Sequence, residues 1–356
     1  MPVELGAEFV HGRPEATLAL LDRARVPGVE STRTQRLVWR GRATDANAFL
    51  EAQKAARPTS ILRKKDLSFA DFLDTKPRLG EKTRALALMM VKGFDAADPA
   101  IASARDIAEE WGSGALASSQ MRPQGGYGPL LDFLARGLDV RVNSPVRELR
   151  WRRGAVEAGG IRARKAIVTL PLGVLQSGAV VFSPELHAKK VALGQLASGP
   201  VIRVAMQFRE PFWEARHPGV AFFHDPRAPF PTFWTPLPMR APLLTAWAGG
   251  PKAAALTGHS KRRLLKLALQ SVRSILGSGA NPAAWLVQDW QADPWSRGGY
   301  SYVRVGGARG RALLRRTVER TLYFAGEATS SDEGGTVGGA LQSGLHAARA
   351  CLRETD

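Results

Sequence analysis

The sharpest chemical signal lies near the carboxyl end of the chain, where Thr321-Leu322-Tyr323-Phe324-Ala325 reads as an apolar strand running into Gly326-Glu327. A carboxylate at the end of such a strand stands where open α/β folds bind ligands, and it can accept hydrogen bonds from a sugar-like hydroxyl. After a glycine-rich loop a helix begins at Gly335-Thr336-Val337. Glycine lets backbone approach a flat ligand closely, and a helix N-terminus offers free N–H groups to a ligand that becomes anionic. An ordinary strand, turn and helix would use the same residues. Elsewhere the chain offers few reagents. Cys351 is the single cysteine, which excludes an internal disulfide and a thiolate metal cluster. The six histidines are scattered, with neither HExxH nor H-x-H spacing, which argues against zinc.

The chain that must position these groups has 356 residues, enough for about two domains. Hydrophobic residues at 44% and charged residues at 23% are globular values and exclude disordered and fibrous classes. No apolar run reaches the ~18 residues of a membrane span. The N-terminal MPVELGAEFVHGRPEA lacks the pattern of a secretory signal, so the cytoplasm is the expected compartment. Lysine plus arginine, 50 against 32 acids, give a net charge of +18. Such a field attracts polyanions, but the basic residues cluster only at Arg63-Lys64-Lys65, Lys261-Arg262-Arg263 and Arg315-Arg316. No nucleic-acid motif accompanies them. A solvated basic surface is expected, and nucleic acid is not an expected partner.

Apolar steps of three and four predict mostly helix from 15 to 120, with segments at 16–21, 43–56, 69–73, 83–91 and 100–111. From Gln124 the texture changes. A short helix is expected over 129–135, strands over 139–142 and 146–151, a turn at Arg153-Gly154, and at 166–170 a strand covered on both faces. Strands follow at 201–208 and 284–290, with a Pro- and aromatic-rich sheet region between 211 and 247, a basic amphipathic helix over 261–276 and a last helix over 337–352. Strands and helices mix without strict alternation, which implies an α/β cofactor domain interleaved in sequence with a second domain.

The segment LYFAGEATSSDEGGTVGGALQSGLHAAR (322–349) resembles the C-terminal flavin-binding segment of the flavin-containing amine oxidases, the monoamine and polyamine oxidases and the flavin-dependent histone lysine demethylases. Four more stretches resemble the same family in the same order: ELGAEFVHG (4–12), GGYGPLLDFLARGLDVRVNSPVREL (125–149), AIVTLPLGVLQSGAVVFSPELHAKK (166–190) and DWQADPWSRGGYSYV (289–303). The resemblance implies a Rossmann-like FAD-binding domain from 1–15, 121–190 and 291–356, and an α+β substrate domain of mixed sheet plus helices from 16–120 and 191–290. It implies that Gly6, Ala7 and Glu8 lie along the flavin, that Val146 meets the adenine, and that Thr169 and Leu170 lie beside the adenosine half. Glu327, after Gly326, would bind the ribityl chain, and Gly335, Thr336 and Val337 would face the pyrimidine ring. Trp290 and Trp295 match aromatics near the ring system, with core packing as the alternative.

Tyr300 matches one wall of the aromatic slot that receives the amine in this family, an aromatic face suiting cationic nitrogen. The opposite wall is aromatic in monoamine oxidases but matches Thr336 here, as in the polyamine oxidase and demethylase branch. Gly299 stands where monoamine oxidases carry a flavin-bonded cysteine, so the implied FAD is non-covalent. Arg203 matches a family lysine that holds a water near flavin N5; arginine keeps the charge but does not deprotonate. The implied reaction is hydride transfer from an amine α-carbon to flavin N5, giving an imine and then an aldehyde, with reoxidation by O2 or another acceptor.

The family also begins with a βαβ unit carrying GxGxxG, which should lie before ELGAEFVHG, here starting at Glu4. Gly112-Ser113-Gly114-Ala115-Leu116-Ala117 fits G-x-G-x-x-A but follows a helical pattern, out of context. The expectation is an N-terminally incomplete copy of a flavin amine oxidase. Two rivals stand beside the enzyme: an inactive remnant acting as a binding or scaffold protein, and a basic module for acidic partners.

Overall fold

The run Val201–Gln207 becomes an inner strand in the computed structural model, which describes residues 2–112, 119–277 and 281–353. It pairs antiparallel with Leu243–Gly249 on one side and Ala284–Asp289 on the other. The sheet continues through Thr232–Trp234, Phe222–His224, Gln35–Trp39 and Arg42–Asp45, seven strands among the described residues. Side chains alternate across a strand, so Ile202, Val204 and Met206 share one face, packing in one core with Leu264, Ala268, Val272 and Ile275. Those four recur at three- and four-residue steps on helix Lys261–Leu276, whose Ser260 cap accepts from the Arg263 N–H. Arg203 points to the other face of the sheet, against the cavity described below.

Smaller sheets frame that face. Val10–His11, Gln120–Pro123 and Gly28–Glu30 form one; Val181–Ser183, Glu148–Arg152, Ala155–Ala158 and Ile161–Ala163 form another. Leu322–Phe324 pairs in parallel with Ala166–Val168, and Leu196–Gly199 runs antiparallel to Tyr300–Val303. Helix Ala104–Gly112 buries Ala104, Ile107, Ala108 and Trp111, one face of the helical period. That leaves Asp106 and Glu110, four residues apart, side by side on the helix. The last helix, Val337–Arg353, starts at Thr336, whose hydroxyl accepts from the Gly339 N–H at 2.9 Å. Among the described residues no helix is long and apolar enough to cross a membrane.

Several elements depart from the sequence pattern. Residues 15–120 include strands at Gly28–Glu30, Gln35–Trp39 and Arg42–Asp45, so the helix expected over 43–56 begins only at Ala48. The last two strands make a hairpin turned by Arg40 and Gly41 at φ 51° and 77°, the two positive values a tight hairpin needs. Asp139–Val142 alternates in type but forms no strand. Val140 and Val142 are 60% and 75% exposed, since the alternation has no neighbouring ladder to join. The strand expected over 146–151 starts later, at Glu148. Ala166–Val168 is not covered on both faces, because in a pair of strands Ile167 turns outward and is 40% exposed. Of the out-of-context glycine pattern, only Gly112 is described, as the last residue of its helix; 113–117 lie outside the described residues.

Sequence pattern also gave no hint of Lys189, a buried lysine that closes the helix Gly310–Arg315. Its Nζ donates to the carbonyls of Leu313, Leu314 and Arg316 and lies 4.2 Å from the Phe324 ring centroid. Carbonyls at a helix C-terminus lack intrahelical partners, and a cation satisfies them. Burial, helped by the nearby Arg316 charge, pushes the Lys189 ammonium down to about 8 from 10.5. Between those two values the unfolded chain binds more protons than the folded one, so this group makes stability rise with pH. Urea denaturation of wild type and Lys189→Met across pH 8 to 10 should show their difference shifting toward wild type as pH rises.

Candidate active site

Glu8 follows Gly6 and Ala7 in the segment that leads into strand Val10–His11. Three donors meet its carboxylate. Arg122 Nε donates to Oε1 at 2.6 Å, Trp234 Nε1 donates to Oε2 at 3.0 Å, and Arg203 Nη2 donates to Oε2 as well. Both arginines are buried, Arg203 at 2% and Arg122 at 5% exposure. Arg122 also donates to Ser31 Oγ and the carbonyls of Thr235 and Leu237, and its guanidinium lies 4.3 Å from the Phe9 ring centroid. Arg203 donates to the Gly6 carbonyl at 3.0 Å, while its Nε is buried without an acceptor among the described residues. Burial alone would raise the Glu8 carboxyl, but the Arg203 and Arg122 charges outweigh it and hold it below the ordinary value. Two guanidiniums and one carboxylate leave the cluster with net positive charge.

This cluster forms part of the wall of a cavity of about 510 Å³, a volume typical of small-molecule sites. Gly6, Ala7 and Glu8 line it together with Arg203, Trp290, Tyr300, Glu327, Gly335, Thr336 and Val337. Trp290 is anchored from both sides: its Nε1 donates to the Leu5 carbonyl at 2.8 Å and its backbone N–H to Val201. The Tyr300 hydroxyl donates to the Phe94 carbonyl at 2.5 Å, which fixes the ring. Burial, with the charges of Asp95, Glu110 and Glu327, keeps that hydroxyl protonated well above its ordinary range. Gly335, at φ 73°, holds the turn into the last helix, and a Cβ there would come within 3.3 Å of the Tyr300 ring.

Glu327 lines the cavity but is largely satisfied by protein. It accepts from the Ser301 N–H at 3.0 Å, the Ser301 hydroxyl at 2.6 Å and the Gly335 N–H at 2.8 Å, with Arg311 at 3.8 Å. It therefore braces strand Tyr300–Val303 against the turn that opens the last helix. Gly326 lies outside the cavity wall, turning the chain at φ 124°. Val146, Thr169 and Leu170 are not brought to the cavity, and Thr169 is exposed. Trp295 is also outside it, 58% exposed with the Arg147 guanidinium 5.7 Å from its ring, so core packing does not describe it.

Fit for a flavin can be judged from these walls. The ring end suits one: flat apolar faces, glycine backbone, a helix N-terminus and a buried cation with an unsatisfied N–H. At Gly299 a Cβ would lie 2.7 Å from a Val201 methyl, so no side chain fits where a covalent link would be made. On the adenosine side the matched residues make no wall in common with this cavity.

Arg122 and Trp234 escaped sequence reading because nothing local marks them; their partner Glu8 is 114 and 226 residues away. Two cavity imidazoles were also missed. Burial, with Arg33 adding for His11, pushes His11 and His224 down to about 4, so both are neutral at physiological pH.

Because removing one partner from a buried ion cluster strands the others, Glu8→Ala should cost about 3–5 kcal/mol in urea denaturation at pH 7. In wild type the contribution is full above the ordinary carboxyl value of 4.5 and is lost as pH falls through the depressed folded value. The acid limb of the stability profile should accordingly be shallower in Glu8→Gln.

A family model described as flavin containing amine oxidoreductase matches residues 1–352. Human lysine-specific histone demethylase 2 is 32% identical over 240 residues, covering 63% of this chain and 29% of that protein. Polyamine oxidase 4 of Oryza sativa subsp. japonica is 32% identical over 236 residues, covering 64% of this chain and 48% of that protein. The chain thus spans less than half the length of these relatives. Among solved structures, a wild-type putrescine oxidase bound to putrescine superposes with TM-score 0.81 at 20% identity, over 99% of this chain and 88% of the other. Cyclohexylamine oxidase from Brevibacterium oxydans IH-35A gives TM-score 0.81 at 18% identity over the same shares, 99% and 88%. At such identities the likeness shows the fold, the mixed helices and sheets of the amine oxidases. With the family match running through nearly every residue, the chain belongs to the flavin containing amine oxidoreductases, and FAD is the cofactor that membership implies.

Proposed function

We propose that this chain is an FAD-dependent amine oxidase, with the flavin held non-covalently and the amine received against Tyr300. The observation that carries the reading is one continuous cavity that gathers Glu8, Arg203, Trp290, Tyr300 and the Gly335-Thr336-Val337 helix opening from opposite ends of the sequence. When bound, the flavin would accept a hydride equivalent from the amine α-carbon and pass the electrons to O2 or another acceptor. The chain's own groups supply position and field.

Gly6, Ala7, Trp290, Gly335, Thr336 and Val337 would hold the ring system between flat walls. Arg203, on the cavity wall, supports negative charge at the ring as part of a cluster carrying net positive charge. Glu8 keeps that guanidinium in place. Tyr300, pinned through its hydroxyl to Phe94, orients the substrate nitrogen and keeps its proton, so it acts as a wall and not as a base. The facing position is Thr336, occupied with capping the last helix. Thr336 itself therefore supplies no second aromatic wall. The bound imine would leave for hydrolysis by water to the aldehyde. The division into a flavin domain (1–15, 121–190, 291–356) and a substrate domain (16–120, 191–290) is part of the same reading, supported by the large sheet drawing its strands from 35–45 and 201–289.

The deciding measurement is the visible spectrum of the purified chain after incubation with FAD, followed by anaerobic addition of an amine. A yellow protein that bleaches is expected. A chain that stays colourless overturns the reading and favours binding without catalysis. In Tyr300→Ala, amine bleaching should slow by about 10-fold or more, the scale of a lost cation–π wall, while flavin content stays near wild type; equal loss of both would make Tyr300 structural.

A further inference from the structure

The loop from Glu327 to Thr336 borders two separate spaces. Its ends, at Glu327 and at Gly334–Thr336, line the central cavity, whereas its middle, Ser330–Asp332, lines a second pocket of about 370 Å³. The two spaces share no lining residue. Arg315 reaches the second pocket from the end of helix Gly310–Arg315, and His346 and Arg349, three apart and so neighbours on one helix face, reach it from Val337–Arg353. Neither guanidinium has a counter-ion. Among the described residues the side chains of Arg315, His346 and Arg349 take part in no hydrogen bond or ion pair, and Asp332 stands outside ion-pair range of both arginines. Donors are in excess elsewhere in the pocket. Ser330, 6% exposed, accepts from the Glu333 N–H at 3.2 Å and keeps its own proton to donate. The Ser331 hydroxyl and the Gln342 amide add donors without partners among the described residues.

We propose that this pocket is a regulatory site for a small phosphate monoester, held by Arg315 and Arg349, whose occupancy stiffens the loop. A guanidinium presents paired N–H donors that match two oxygens of a phosphate. Two such groups from separate helices, with the serine hydroxyls between them, suit a tetrahedral dianion with three free oxygens. One planar carboxylate would leave the second guanidinium unused. The volume falls within the range of small-molecule sites, more than a bare ion needs. Leu345, 44% exposed, and Ala16 give a carbon skeleton apolar contact, and Asp332 accepts from a hydroxyl on it.

The loop's own bonds carry the effect to the larger cavity. Ser343, which lines the second pocket and is 7% exposed, accepts from the Gly326 N–H at 2.8 Å, just before Glu327. At the other end the Gly335 N–H donates to Glu327. A ligand that fixes Ser330–Asp332 therefore restrains a loop closed on itself at both ends, and local opening of that loop becomes rarer by mass action. This holds whatever the central cavity binds, so the inference does not depend on the flavin reading. The chain's charge of +18 attracts any anion, and the test must separate a built site from that general field.

The test is calorimetric titration of the full chain with phenyl phosphate and with inorganic phosphate, at constant ionic strength. It compares wild type, Arg315→Gln, Arg349→Gln and Arg262→Gln, the last removing the same charge from the exposed face of helix Lys261–Leu276. Expected is one phenyl phosphate per chain, bound more tightly than inorganic phosphate. Its affinity should fall about 10-fold or more in Arg315→Gln and in Arg349→Gln, the worth of one charge-assisted hydrogen bond, and stay within about twofold in Arg262→Gln. At saturation, amide hydrogen exchange over 328–336 should slow by about 10-fold in wild type. Absence of saturable binding would overturn the site, as would an equal loss in Arg262→Gln, which assigns the heat to overall charge. Tighter binding of inorganic phosphate would overturn the ester, and binding with unchanged exchange would overturn the loop's part. Should either arginine variant lose its folded circular dichroism, Ser331→Asp decides, since a like charge in the pocket should weaken the ester by about 10-fold or more.

Discussion

One buried carboxylate holds this site together. Glu8 is shared by two guanidiniums and an indole, and each of its three partners belongs to a different part of the chain. Arg122 stands on the short strand beside the N-terminal segment, Arg203 on an inner strand of the large sheet, and Trp234 on another strand of that sheet. Taking such charges out of water is expensive, and their mutual attraction repays it only when the remaining donors are satisfied. Arg122 has an acceptor at each guanidinium nitrogen, with Ser31, Thr235 and Leu237 beside Glu8. Arg203 does not, and its Nε N–H stays buried without an acceptor among the described residues. The same interaction therefore joins the N-terminal segment to the sheet.

The second bracing carboxylate, Glu327, works by the same logic with weaker donors. Backbone N–H groups of Ser301 and Gly335 reach one side chain, so the strand bearing Tyr300 and the turn opening the last helix cannot shift independently. Tyr300 is in turn tied through Phe94 to the segment that carries Asp95. The aromatic wall, the helix opening and the Asp95 segment are thus registered against one another by a short series of hydrogen bonds.

Much of this was legible in the order of residues. The helix over 261–276 and the last helix from Val337 stand where the sequence pattern put them, and the strand at 201–207 follows from its apolar run. The glycine-opened helix beside Glu327 pointed to the right end of the molecule. What failed did so for lack of a partner or because of a distant one. Asp139–Val142 has the alternation of a strand but nothing to pair with, and Arg42–Asp45 is a strand only because Gln35–Trp39 lies beside it. Residue-by-residue matching put Glu327 on the cavity, where it stands, but not the bonds it accepts from Ser301 and Gly335. The roles of Lys189 and Arg122 arise from contacts across long separations that no local pattern encodes.

Those separations have a bearing on how the molecule is made. The Arg203 bond to Gly6 spans 197 residues and the Trp290 bond to Leu5 spans 285. Closing contacts of that range is slow and late, because the entropy of the intervening loops is lost before anything is gained. A partly folded chain or a fragment that lacks those two contacts lacks that wall of the cavity. A small molecule lodged there can stabilise only the finished topology, so its retention reports that the two ends of the polypeptide have met.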